Sequence, residues 1–190
     1  ASGPDEPYRE GRERPLNLLV IPTTDWTRHP VPNRLNFIFD RIAERNRVFV
    51  VHFKLSRFTG LPERPTRCRL VRTPGVPVGD PSLYYLLSAP LHLWTIRKTV
   101  RKEGIELVTA SNILPAALAT FSGVPVVFDY LDHLEESAMV YYPGSFIGHI
   151  VQKTVRSIVR FAVRRAKGVI TVTSAFSRHL SDIGADNIRI

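Results

Sequence analysis

Cysteine is almost absent from this chain: Cys68 stands alone among 190 residues. One cysteine excludes an internal disulfide and any cysteine-built metal framework, and it makes a reducing cytosol the simplest setting. Cys68 itself reads as a small core hydrophobe in a strand. Long apolar runs are also missing. No stretch approaches the ~18 uninterrupted apolar residues of a spanning helix, and the N-terminus lacks the apolar core of a secretory signal. The chain is therefore expected to be cytoplasmic, soluble or peripheral to a membrane. A G-x-G-x-x-G stretch occurs nowhere, so the dinucleotide fingerprint is lacking and a nicotinamide-dependent activity loses its main support.

Acidic residues are the other scarcity. Seventeen Asp and Glu face 26 Lys and Arg, a formal charge of +9 and a pI near 10.2. That balance favours anionic partners: phosphates, nucleic acid or acidic lipid head groups. Nucleic acid is set aside because no helix-turn-helix, zinc finger or aromatic-basic RNP-like strand accompanies the charge.

What is present is a regular alternation. With 44% hydrophobic residues the chain is long enough for one well-buried core. Residues 1–14 are polar, contain Gly and Pro, and read as a flexible arm, leaving 15–190 as one domain. Leu16–Ile21 is a short, nearly continuous apolar run typical of a central strand, ended by Pro22. A loop through Thr23, Thr24, Asp25, Trp26, Arg28 and His29 leads to Asn33, which is placed to cap a helix carrying Leu35, Phe37, Ile38, Ile42 and Ala43. Arg47–Phe53 is a second strand and Cys68–Val71 a weaker third. Leu83–Lys102 reads as a helix bent or broken at Pro90 and ended by Gly104. Ile105–Thr109 is a fourth strand, and Asn112 is placed to cap the helix Leu114–Phe121. Gly123 and Pro125 open a fifth strand through Val126, Val127 and Phe128. A long helix is expected from about Ser145 to Ala166, with Ile147, Ile150, Val151, Ile158, Val159, Ala162 and Ala166 as an apolar stripe. On another face, Lys153, Arg156, Arg160 and Arg164 step by 3, 4 and 4. Gly168–Val172 is a sixth strand, Ser174 is placed to cap a helix closed by Gly184, and Ile188-Arg189-Ile190 begins a further strand at which the chain is expected to be cut short. Repeated strand, helix, strand predicts an α/β fold, a Rossmann-like parallel sheet sandwiched by helices.

In such a sheet ligands bind beyond the carboxyl ends of the strands. The fifth strand ends there in Asp129, Tyr130, Leu131, Asp132, His133, Leu134, Glu135 and Glu136. Carboxylates accept hydroxyl donors and histidine titrates near neutrality, so Asp129, Asp132 and His133 suit sugar recognition or acid–base work. A metal fits less well, because one histidine is local and no H-x-x-x-H pattern accompanies it. Asp132 also suits a helix cap, and Glu135 and Glu136 suit the first turn of that helix. In the first loop Trp26 is either a platform for a sugar ring or a packing residue, and Arg34 can meet a phosphate in spite of the helix dipole. The basic face of helix 145–166 is either solvated or a contact for an anionic membrane.

The segment Arg165-Ala166-Lys167-Gly168-Val169-Ile170-Thr171-Val172-Thr173-Ser174, followed by Leu180, Gly184 and Asn187-Ile188-Arg189-Ile190, resembles the close of the N-terminal domain in group 1 (family 4) GT-B glycosyltransferases. Asp25-Trp26 with Arg34, and Gly123-Val124-Pro125-Val126-Val127, resemble further stations of the same domain. The resemblance covers roughly residues 16–190. It implies two Rossmann-like domains, the first binding acceptor and the second nucleotide-sugar, and a retaining, hexosyl-type transfer that needs no metal or other cofactor. The nucleotide-sugar half, with its E-x7-E motif, is absent here, so the chain alone is expected to be inactive. The resemblance gives His133 and Asp132 as candidates to contact the transferred sugar, with Asp25, Trp26, Arg34, Asn112, Asp129, Ser174 and Arg178 lining the cleft. The Gly-rich loop that many relatives carry after the first strand is replaced by Thr23-Thr24-Asp25-Trp26. The competing expectation is a stand-alone α/β binding or regulatory module that docks through its basic helix.

Overall fold

The computed structural model describes residues 14–132 and 144–190. Among them the chain runs β1 (Asn17–Ile21), α1 (Arg34–Ile42), β2 (Arg47–His52), a 3-10 turn (Ser56–Phe58), β3 (Arg69–Arg72), α2 (Pro81–Leu87) and α3 (Ala89–Glu103). It continues through β4 (Leu107–Ala110), α4 (Ile113–Ala119), β5 (Val126–Tyr130), α5 (Phe146–Arg165), β6 (Gly168–Thr171), α6 (Ser174–Asp182) and β7 (Ile188–Arg189). All strand pairings are parallel, in the order β3-β2-β1-β4-β5-β6-β7. The chain builds outward from β1 to β3, then returns to the other side of β1 with β4, so the order reverses between β1 and β4. The doubly wound α/β architecture follows the predicted alternation.

The period-2 alternation of the central strands sorts their side chains onto two faces. Leu19, Ile21, Phe49, Val51, Val108, Ala110, Val126 and Phe128 form the larger core with Ile96, Val100, Ala116, Ala117, Val159, Ala162 and Val163 of α3, α4 and α5. Leu18, Val20, Val48 and Val50 point to the opposite face, where Leu35 and Phe39 of α1 cover them together with Trp26 and Cys68. A continuous apolar run such as Leu18–Ile21 is therefore required, because both of its faces are buried.

Several local expectations are refined. Asn33 caps α1 in a reciprocal capping box with Asn36. The predicted helix 83–102 is two helices, and the break falls at Ser88, two residues before Pro90. Proline is tolerated in a first turn, where its missing N–H would have no helical partner, so Pro90 marks a beginning instead of an interruption. Asn112 holds the capping position of α4 without a capping hydrogen bond, and its side chain goes elsewhere. Thr173, one residue before Ser174, caps α6 by accepting from Phe176 N. On α5 the packed positions are Val155, Ile158, Val159, Ala162 and Val163, whereas Ile150 and Val151 of the expected stripe are exposed. The helix meets α4 and β5, with Phe161 stacked on Phe121 at 5.6 Å between ring centroids.

Candidate functional site at the switch point

The carboxyl ends of β1 and β4 meet at the reversal of strand order, where open α/β sheets bind ligands. The loop after β1 is tied down there by neighbours from three elements. Ser111 N donates to Ile21 O at 3.0 Å. Asn112 Nδ2 and the Tyr85 hydroxyl both donate to Thr23 O, at 3.3 and 2.9 Å. Asn112 thus spends its amide on joining the β1 and β4 loops. Burial pushes the Tyr85 phenol far up, so it remains a donor.

Asp25 organises the loop from inside. It is 1% exposed. Its Oδ1 accepts from Thr27 N at 3.1 Å and Arg28 N at 2.9 Å, and His52 Nε2, at the end of β2, lies 3.2 Å away. Burial raises the carboxyl's pKa, but the contact with His52 and the two backbone N–H groups outweigh it, and the group sits below its ordinary value. Asp25 Oδ2 has no partner among the described residues. Beside it Trp26, 2% exposed, is buried in the α1-side core, and its indole Nε1 donates to Thr66 Oγ1 at 3.1 Å. Of the two roles open to Trp26, its position is that of the packing residue. His52 carries no motif in the sequence; its one signal is a polar residue closing an otherwise apolar strand.

The second station joins two of the expected residues. Asp129 has the same strand parity as Val127, which places it on the α1 side of the sheet. Arg34 begins α1, and its Nη2 donates to Asp129 Oδ1. Asp129 therefore supplies the counter-charge for a cation at a helix amino end, where the dipole disfavours one. The Arg34 side chain is 35% exposed and that of Asp129 2%. Burial pushes the Asp129 carboxyl up, and the guanidinium opposes that shift without cancelling it. Among the described residues, Asp129 Oδ2 and Arg34 Nε are both buried without partners, so this pair retains hydrogen-bonding capacity that those residues do not use.

The remaining candidates lie apart from these contacts. Asp132 is exposed two residues beyond β5. Ser174 and Arg178 are exposed on α6, whose Phe176 packs edge-on against Tyr130 at 5.6 Å. His133, Glu135 and Glu136 lie outside the described residues. Among the described residues, no three His, Cys, Asp or Glu side chains are grouped to share a metal ion.

Residues 39–190 match the glycosyl transferase 4-like domain family. Among solved structures, sucrose-phosphate synthase from Thermosynechococcus elongatus superposes with a TM-score of 0.63 at 15% identity, over 92% of this chain and 47% of the synthase. A shorter chain of sucrose-phosphate synthase from the same organism gives 0.60 at 14% identity, over 91% of this chain and 86% of that one. At these identities the likeness is one of fold, and the chain spans about half the length of the longer synthase chain. No curated protein sequence matches.

Proposed function

Because this chain belongs to the glycosyl transferase 4-like domain family, we propose that it is the acceptor-side, N-terminal half of a GT-B sugar transferase. In this reading a second αβ domain holds the nucleotide-sugar, and the cleft closes over the carboxyl ends of β1, β4, β5 and β6. The reaction is a retaining transfer of a sugar to a hydroxyl of a glycan, lipid or small acceptor, with no metal required.

The observation that carries the reading is the Arg34–Asp129 pair. It lies on the carboxyl-end rim of the sheet, one partner is buried and the other half-exposed, and each keeps an unused polar atom. A guanidinium held by a buried carboxylate presents its free N–H groups in a fixed orientation, which suits a phosphate oxygen or a sugar hydroxyl. Asp129 is then a positioning residue acting through Arg34. Asp25 and Asn112 hold the β1 loop in the shape that keeps the amino end of α1 in place. His133 and Asp132, following β5, are assigned to hydrogen bonds with the transferred sugar. Ser174 and Arg178, on the first turns of α6, flank the cleft on the β6 side.

The test is transfer by the full-length protein, offered a panel of nucleotide-sugars and assayed for product anomer with and without EDTA. Metal-independent transfer with retention of configuration is the expected result. Failure to bind or turn over any nucleotide-sugar, or a reading frame that lacks a second αβ domain with an E-x7-E motif, overturns the reading.

A further inference from the structure

The α2–α3 pair is apolar on both of its sides, and packing explains only one. Tyr84, Tyr85, Ser88, His92, Thr95, Ile96, Thr99 and Val100 face inward and are buried. Their outward sides carry Leu83, Leu86 and Leu87 on α2 and Leu91 and Trp94 on α3, which are 49, 59, 51, 38 and 55% exposed. Packing does not account for four leucines and a tryptophan left exposed on two consecutive helices, and apolar patches of this kind mark contact surfaces.

On α3 the exposed side continues from Trp94 into Arg97, Lys98, Arg101 and Lys102. No acidic residue occurs between Asp80 and Glu103. Lys98 lies over the Trp94 ring at 4.5 Å. A shallow groove of about 790 Å³ runs along this face between Pro90 and Lys102. A second, of about 280 Å³, shares Trp94, Lys98 and Lys102 with Arg69 and Arg72 of the edge strand β3.

We propose that the outer face of α2–α3 docks on a lipid bilayer bearing acidic head groups. The leucines and Trp94 enter the head-group boundary, and the four cations of α3 with Arg69 and Arg72 meet the lipid phosphates. The charge sign selects the acidic surface, since cations lying at a membrane surface are drawn to its anionic head groups. The tryptophan between the leucines and the cations matches the depth profile of an interfacial helix. No helix among the described residues is long and apolar enough to cross a membrane, so the contact lies on the surface. The sequence pointed to the basic face of α5 for such a contact. That helix also exposes Phe146, Ile150 and Val151, but its outward row is not continuously apolar. The inference is independent of the sugar-transfer reading.

Trp94 supplies the measurement. The chain has two tryptophans, of which Trp26 is 2% exposed and Trp94 55%. Titrating the chain with phosphatidylcholine vesicles containing phosphatidylglycerol is expected to shift tryptophan emission to the blue and to sediment the protein. Plain phosphatidylcholine does neither, and high salt reverses binding. Leu86→Ser with Leu87→Ser, and separately Lys98→Gln with Arg101→Gln, are expected to weaken vesicle binding at least ten-fold. Lys153→Gln with Arg156→Gln is expected to change it less than about three-fold, because it removes charge from a helix that does not line the proposed face. These substitutions are at exposed positions, and an unchanged thermal midpoint establishes that each variant is folded. Trp94→Phe abolishes the emission shift and keeps sedimentation. Absence of binding to acidic vesicles, unchanged binding by the α3 variants, self-association that buries Trp94, or binding of an acidic protein in place of vesicles overturns the proposal.

Discussion

Arg34, the first residue of α1, is joined to Asp129 near the end of β5, 95 residues further along the chain. The contact crosses the point where strand order reverses, and it ties the amino end of the helix after β1 to the carboxyl end of β5, with β4 between the two strands. Removing either partner has unequal consequences. Arg34→Ala leaves a buried carboxylate without its counter-charge and is expected to cost about 3 kcal/mol, at the low end for a buried pair because Arg34 is partly solvated.

Asp129→Asn separates folding from function. The folded carboxyl lies above its ordinary value, so the native state holds its proton more tightly than the unfolded chain. Its contribution to stability is present below pH 3.8 and is lost as pH rises through the folded value. The amide removes that dependence, and denaturant midpoints at pH 7 should stay equal or rise. Sugar transfer by the full-length protein should fall at least ten-fold if Asp129 positions Arg34 as proposed; unchanged transfer would leave the pair a structural one.

Trp26 should behave as a core residue. Trp26→Ala is expected to destabilise by about 3–5 kcal/mol. Trp26→Phe keeps most of the apolar volume and loses the bond to Thr66, at about 1 kcal/mol. Equal kcat and KM for the phenylalanine variant and the parent are expected in the transfer assay, whereas a ring that stacks on substrate would raise KM.

His92 makes the fold sensitive to mild acid. It is fully buried within an aromatic cage, with Phe53 at 5.0 Å and Tyr84 at 5.5 Å between ring centroids, and among the described residues neither ring nitrogen has a hydrogen-bond partner. Burial pushes its pKa down to about 4 from 6.5. Between those values the unfolded chain takes up the proton and the native state does not, so stability falls as pH drops through the window. His92→Phe should flatten the melting temperature from pH 6.5 to 4, a difference of at least about 2–4 °C if ~1 kcal/mol is recovered.

Asp25 acts in a lower window. Its folded carboxyl lies below the ordinary value of 3.8, so its stabilisation is complete above that pH and is lost as pH falls through the folded value. Asp25→Ala should cost about 1.5–3 kcal/mol at pH 7 through its charge-assisted hydrogen bonds, and should lose the added acid sensitivity below pH 4. Thermal melts from pH 2.5 to 7 distinguish this carboxyl from His92, because the two titrate on opposite sides of pH 4.

Much of this molecule is legible in its residues alone. The unbroken apolar run Leu18–Ile21 can only be a strand covered on both faces, and Asn33, Gly104, Ser145 and Gly184 punctuate the helices through local backbone chemistry. The alternation of such units determines a parallel sheet, and so determines that any site lies beyond the carboxyl ends of its strands. Local pattern does not fix which polar side chains meet there. Trp26 faces the core because the β1 loop turns back over α1. Asn112 bonds Thr23 instead of its own helix because β4 lies beside β1. His52 reaches Asp25, and Arg34 reaches Asp129, only once parallel pairing brings four distant segments to one edge. The same holds for the outer row of α2–α3: its periodicity is written in the sequence, but which of its two apolar sides is left uncovered was decided by packing on the sheet.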